Sequence, residues 1–344
     1  MSAVLEPEVP LAVANPRRFV DLVLRIRAFG IVAALALLIV VTTAIQPRFL
    51  SRQELKFVLL DTTVFALLAV GETLVVLTRN VDLSVGSVLG LSAFLSADLF
   101  GDHPGISIVV VFLAGLGIGA ACGVANGLLT TVGRVPSLVV TLATLYIIRG
   151  LDIWIVGGGQ VVASSLPNSF LNIPQASVAG VPDLALVIAA VVAVAAYYLR
   201  SYRSGRELYA IGSNPEAARL AGIPIARRVF GVFVLSGALA GVAGVLWAAR
   251  YGTIDSTAGT SYELQVVAAV VVGGVAIFGG SGSVAGAALG ALLLNTINSA
   301  LYVLGISAFW DQAIAGALLL GAIALDRAIS LQLGAALRRR KLGA

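Results

Sequence analysis

One cysteine, one histidine and two lysines in 344 residues remove most side-chain chemistry from this chain. Cys122 lies inside an apolar run, so neither an intramolecular disulfide nor a cysteine-based metal cluster is available. His103 stands alone in a polar turn, which excludes a Ser-His-Asp triad and an H-E-x-x-H zinc site. Neither Lys56 nor Lys341 follows a G-x-x-x-x-G stretch, so there is no Walker A loop, and the chain cannot hydrolyse nucleotide by itself. Charge is scarce as well. Only 11% of residues are charged, 59% are hydrophobic and the mean hydropathy is +1.02. A chain this apolar reads as an all-α polytopic membrane protein, because a helix satisfies its backbone polar groups without water. The formal charge of +5 does not mark a nucleic-acid surface, since the arginines fall between apolar runs rather than along one face.

What is present is a series of ten apolar runs, each near the length of a bilayer core: Ala28–Ile45, Phe57–Leu77, Leu83–Phe100, Ile106–Thr131, Ser137–Val156, Leu184–Leu199, Val229–Ala249, Leu264–Phe278, Val284–Val303 and Ala308–Leu325. The first run is read as a transmembrane helix, not a signal peptide, because no small-residue cleavage site follows it. An even number of spans puts both termini on one side. With the termini cytoplasmic, the inside collects Arg17, Arg18, Arg25, Arg27, Arg79, Arg134, the arginines between 200 and 228, Arg327, Arg338, Arg339, Arg340 and Lys341. The outside keeps Arg48, Arg52, Lys56, Arg149 and Arg250, and this asymmetry sets the orientation. Trp154, Trp247 and Trp310 then form an outer aromatic belt. The organisation expected is a disordered or interfacial cytoplasmic arm over 1–27, a transmembrane domain over 28–328 and a basic cytoplasmic tail over 329–344.

Small residues recur at fourfold spacing: Gly115, Gly119, Gly123 and Gly127 on one span, Gly237 and Gly241 on another, and Gly282, Gly286 and Gly290 on a third. In lipid such stripes let helices approach closely, so they predict a compact bundle and no particular chemistry. Gly86-Ser87-Val88-Leu89-Gly90 is echoed by Gly282-Ser283-Val284-Ala285-Gly286, a resemblance too short to prove an internal repeat. The outer segment Gly157–Asp183, with Pro167, Pro174 and Pro182, suits equally a loop that meets a partner and a plain connector. A second outward polar segment covers Arg250–Glu263. Ionisable groups at membrane depth are few: Asp61, Glu72, Asp82 and Asp311, of which Glu72 is the deepest.

Against this background Ser204–Arg228 is a polar island. Asn214 can cap a helix, Pro215 suits its first position, Glu216 favours the positive end of its dipole, and Gly222 with Pro224 can end it. Arg200, Arg203, Arg206, Arg219, Arg227 and Arg228 surround it and hold the loop 200–228 in the cytoplasm. Glu216-Ala217-Ala218, followed by Gly222, resembles the EAA-x-x-x-G signature of ABC importer permeases. The stretch GRELYAIGSNPEAARLAGI, the run Thr78 to Ser87, Gly123-Val124-Ala125-Asn126-Gly127 with Val135-Pro136 and Thr141-Leu142, and Gly279-Gly280-Ser281-Gly282-Ser283 are together similar to the ribose-type, or monosaccharide, permeases. Arg79-Asn80 departs from the glycines many such permeases carry there and is similar to the rhamnose and autoinducer-2 branch.

This resemblance implies a bacterial inner-membrane permease of about ten spans. It implies work as a pair with an identical or related second permease, beside ATP-binding subunits and an extracytoplasmic sugar-binding protein. ATP and Mg would be bound by the partner ATPase, with no cofactor, metal or catalytic residue on this chain. Asn214, Pro215, Glu216, Ala217, Ala218, Arg219 and Gly222 would form the ATPase-coupling helix. Asn126, Thr141, Asn295 and Asn298 are the span residues expected to line a sugar path, each with the alternative of bonding a neighbouring backbone or helix. The competing readings are an ion-gradient-driven carrier of small polar solutes and an intramembrane enzyme, which would need a cluster of deep acids, His or Cys.

Overall fold

The structure, a computed structural model, describes residues 16–103, 105–307 and 309–324, with side chains from residue 29 onward. The basic tail 329–344 and residues 1–15 of the arm lie outside the described residues. The helices of the bundle are α1 (Pro16–Ile45), α2 (Arg52–Leu77), α3 (Val85–Asp102), α4 (Ile108–Thr131), α5 (Ser137–Val156), the short α6 (Asn168–Leu171), α7 (Asp183–Ser201), α8 (Arg203–Ser213), α9 (Pro215–Leu220), α10 (Ile225–Tyr251), α11 (Tyr262–Val272), α12 (Val284–Val303) and α13 (Phe309–Ala324). Seven of these, α2, α3, α4, α5, α7, α10 and α12, are long and apolar enough to cross a bilayer, and the apolar helices Phe29–Ile45, Tyr262–Val272 and Phe309–Ala324 are shorter.

One sequence expectation is narrowed and another changes. Helix α1 starts at Pro16, so residues 16–27 of the arm expected to be disordered or interfacial are helical; proline fits the first position of a helix because its missing N–H has no partner there anyway. The run Leu264–Phe278 is not one helix. Its helical part stops at Val272, and 11 residues at 1.5 Å each span about 16 Å, roughly half a bilayer core. Beyond it the backbone turns through Gly274, Gly279, Gly280 and Gly282, all with positive φ, a conformation glycine adopts without a Cβ clash. This non-helical backbone is partly to fully buried apart from Phe278, the condition under which irregular chain is tolerated beside lipid.

Helix α2 is the central element. From Val64 to Leu77 it is buried on every side, packed on α10, α12, α7 and α11, and so its apolar residues run round the whole helix instead of forming a stripe. Helix α10 lies most extensively along α4, and there the glycine stripes meet. A Cβ at Gly119 would collide with the Gly237 carbonyl and with Gly241, and one at Gly123 would collide with the Phe233 carbonyl. Backbone-to-backbone approach replaces side-chain interdigitation at this seam.

The two ends of the bundle differ. At the end away from the polar island, 157–182 is folded, not an open connector: it contains α6 and the antiparallel strands β1 (Ser177–Val178) and β2 (Val181–Pro182), and it bridges to the α10–α11 segment through Val161 and Ile254. Phe170 is fully buried with its ring 4.9 Å from Phe100. Lys56 Nζ donates to the Gln175 carbonyl at 3.1 Å, and Arg250 pairs with Asp61 at 3.1 Å, so the helix ends and the cap are stitched together.

Candidate functional site

At the opposite end, α8 and α9 form a small platform against three turns of the bundle. Helix α9 is built as the residue types require. The Asn214 side chain accepts from the N–H groups of Glu216 (3.0 Å) and Ala217 (3.1 Å), Pro215 takes the first position and Glu216 sits in the first turn. At the other end Ile223 N–H donates to the Ala218 carbonyl and Gly222 N–H to that of Arg219, the paired bonds of a Schellman stop, with Gly222 at φ 74. Ala218 alone among the residues of α9 is buried, facing the bundle. Glu216, Ala217, Arg219 and Leu220 point outward, and Leu220 is 91% exposed. The outward side of α9 therefore presents an acid, a base and an exposed apolar residue together.

Helix α8 fixes where α9 sits. Glu207, buried, accepts from Arg203 Nε at 2.8 Å and from Arg228 Nε at 2.6 Å, so one carboxylate ties α8 to the start of α10. The Arg228 hydrogen bond, reinforced by Arg203, holds the Glu207 carboxyl below the usual carboxylate range. Tyr209 donates to the Gly282 carbonyl at 3.0 Å. A Cβ on Gly212 would collide with the Leu77 carbonyl and the Gly280 nitrogen, and Gly280 N–H itself donates to Leu77 at 3.0 Å. Arg79 donates from Nε to the Gly212 carbonyl and from Nη2 to that of Ser213 at 2.9 Å. Between α9 and the bundle lies a groove of about 550 Å³, lined by Thr78, Asn80, Thr131, Arg134, Pro215 and Arg219 among others.

Behind the platform is a sealed polar network. Asp82, in the turn between α2 and α3, accepts from Ser84 through its N–H (3.0 Å) and its hydroxyl (2.6 Å), and from Ser236 of α10 at 3.3 Å. Its own N–H donates to Glu72 Oε1 at 3.1 Å, while Glu72 Oε2 has no partner among the described residues. Asn126 donates to Ser84 at 2.8 Å and accepts from Thr144 at 2.8 Å. The Thr141 hydroxyl lies within bonding distance of the Ser137 carbonyl (2.9 Å) and the Val81 carbonyl (3.1 Å). Both Asn126 and Thr141 are buried, so in this conformation they pin the α2–α3 turn to α4 and α5.

The other two span residues singled out from the sequence lie on α12. Asn295 is buried and donates to its own helix at Ala291, 3.0 Å away. Asn298 is half-buried, lies near the Asp311 carboxylate of α13, and leaves its Oδ1 unpartnered among the described residues. Sequence reasoning missed Glu207, Tyr209, Ser84, Thr144 and Ser236. Glu207 could have been found, since it follows Arg203 by four residues on a helix, the spacing of a facing ion pair; the buried hydroxyls carry no pattern of their own.

Residues 55–323 match the family described as branched-chain amino acid transport system permease components. The autoinducer 2 import system permease protein LsrC of Enterobacter sp. (strain 638) is 36% identical over 303 residues, 88% of this chain and 87% of that protein. The ribose import permease protein RbsC of Escherichia coli (strain K12) is 36% identical over 295 residues, 85% of this chain and 91% of that protein. No solved structure matches. The match across most of the chain places this protein in that family of transport-system permease components.

Proposed function

We propose that this chain is the permease subunit of a bacterial ABC importer, forming the inner-membrane path for a monosaccharide delivered by an extracytoplasmic binding protein and driven by a separate ATPase. The observation that carries the reading is α9: a short helix capped at both ends, exposed on one face and anchored through α8. It acts as the coupling helix, docking in a groove of the ATPase through Glu216, Ala217, Arg219 and Leu220. The relatives named for ribose and autoinducer 2 support a small sugar-like cargo. The seven long helices, the shorter apolar helices Phe29–Ile45 and Phe309–Ala324, and α11 continued by its glycine-rich loop then make ten crossings, with both termini cytoplasmic and α8–α9 on the cytoplasmic side. ATP and Mg bind the partner, and a second permease copy, identical or related, completes the path. Closure of the ATPases on ATP pushes α9 and opens the bundle outward; hydrolysis lets the sugar leave inward.

Within this scheme Asn298, with one amide oxygen unpartnered, lines the path on α12 beside Asn295. Asn126 and Thr141 serve it indirectly by holding the α2–α3 turn.

The test is co-purification of the intact chain with its ATPase, set against Glu216→Lys and Gly222→Pro. Glu216→Lys reverses the charge on the docking face and the first turn; Gly222→Pro removes the φ 74 stop and the N–H that donates to Arg219. Loss of the complex with the bundle still folded supports the coupling helix. Uptake that persists without any ATPase and collapses when the ion gradient is dissipated would instead establish a gradient-driven carrier.

A further inference from the structure

The hinge Ser213–Asn214, between α8 and α9, is the weak point of any mechanism that pushes on α9. Asn214 is fully extended (φ −155, ψ 101), so two helices meet there at a break in the hydrogen-bond ladder. A force on α9 can be absorbed by bending this hinge unless the end of α8 is tied to the bundle. Arg79 supplies that tie. Its guanidinium fork takes the carbonyls of Gly212 and Ser213, the last two residues of α8, where unpaired carbonyls and the negative end of the helix dipole favour a cation. The backbone of Arg79 is held at φ 65, a conformation that disfavours any side chain, and its stem lies against Gly279, where a Cβ would collide with it. The residue is therefore placed between α8, the α2–α3 turn and the 273–283 loop at once.

We propose that Arg79 is the positioning residue that delivers displacement of the coupling helix to α2 and α3. Resting on the importer reading, the proposal adds which side chain carries the stroke. Arg79 touches neither the docking face nor the span residues assigned to the path, so its loss should separate hydrolysis from transport.

The experiment reconstitutes the full complex, with ATPase and binding protein, in proteoliposomes and measures ATP hydrolysis and uptake of radiolabelled ribose, or of autoinducer 2 if ribose is not carried. Arg79→Ala, Arg79→Gly and Arg79→Lys are compared with the parent chain. Glycine accepts φ 65 without strain, so Arg79→Gly removes the side chain while leaving the turn free to fold. The expected result is assembled complex in all cases and hydrolysis within about twofold of the parent. Uptake per ATP should fall at least about tenfold in Arg79→Ala and Arg79→Gly and recover in part with Arg79→Lys, which can reach one carbonyl but not fork across two. Uptake per ATP within twofold of the parent in Arg79→Gly overturns the proposal, as does a loss of uptake that only tracks loss of assembled complex. Uptake by the parent chain that persists without the ATPase and collapses when the ion gradient is dissipated would overturn the importer reading instead.

Discussion

Helix α9 has six residues, too few to be helical in water without help, so its folded population rests on its two ends and its attachment. Replacing Asn214 with Ala removes the acceptor for two N–H groups, at about 1 kcal/mol. Replacing Gly222 with Ala places a Cβ at φ 74, at about 1 kcal/mol or slightly more. The two sites lie at opposite ends of the helix and share no partner, so the costs add to about 2 kcal/mol. If the ATPase grips the formed helix, each single change weakens binding up to about fivefold and the double change up to about 30-fold. Asn214→Asp keeps a capping acceptor and should bind within about twofold of the parent. The assay is the equilibrium affinity of detergent-solubilised permease for immobilised ATPase. An affinity for the double variant within twofold of the parent would refute the claim that a preformed α9 is what the ATPase recognises.

Gly119→Leu should lower the thermal stability of the detergent-solubilised protein by 2 kcal/mol or more, on the order of an overpacked core, because Gly237 and Gly241 leave no room. Gly117→Leu, two residues away with nothing within 4 Å, should be near neutral in the same melt. Asn126→Leu removes the hydrogen bonds that Asn126 donates to Ser84 and accepts from Thr144 and should cost about 2 kcal/mol, roughly 1 kcal/mol for each bond, read as a lower melting temperature. Glu207 has a depressed folded pKa, so its contribution is fully present above the unfolded value and disappears as pH falls through the lower folded one. Proteolytic protection of the α8–α9 segment should therefore fade below about pH 4, and Glu207→Gln should be less protected at neutral pH with little further change on acidification. Asn298→Ala should reduce uptake severalfold with ATP hydrolysis by the complex unchanged; equal uptake would remove it from the path.

Nine of the ten apolar runs were legible as helices, seven of them long enough to cross a bilayer, because hydropathy reports burial in lipid or protein alike, and the cap residues of α9 were legible because each acts on its own neighbours within four positions. The break after Val272 was not. Val266 to Val271 and Val275 to Phe278 read as one apolar run, and what divides it is the pair Gly273-Gly274, the first packed against Gly286 and Ala287 of α12 and the second at positive φ. The span asparagines were visible as polar residues in apolar helices, but their partners come from other helices far along the chain. Asn126 is sealed by Ser84 and Thr144, whereas Asn298 has spare bonding capacity, and no local pattern separates the two cases.

The echoed Gly-Ser-Val segments gain meaning from where the chain puts them. Each follows an irregular turn and opens a long buried helix, α3 in one case and α12 in the other. Both turns meet the end of α8: Arg79 and Leu77 belong to the first, Gly280 and Gly282 to the second, and Gly280 N–H joins them by donating to the Leu77 carbonyl. At this joint several contacts are backbone to backbone, and Gly212 and Gly280 are so close that no side chain could be inserted. With α9 as the proposed coupling helix, a push on α8 would reach both α3 and α12 through these turns, and the sealed Asp82 network, which joins the α2–α3 turn to α4, α5 and α10, lies behind the first of them. The scarcity of charge inside the bundle fits the same logic: a path that must open and close repeatedly is better lined by neutral amides than by ions whose desolvation would set a cost of several kcal/mol on every cycle.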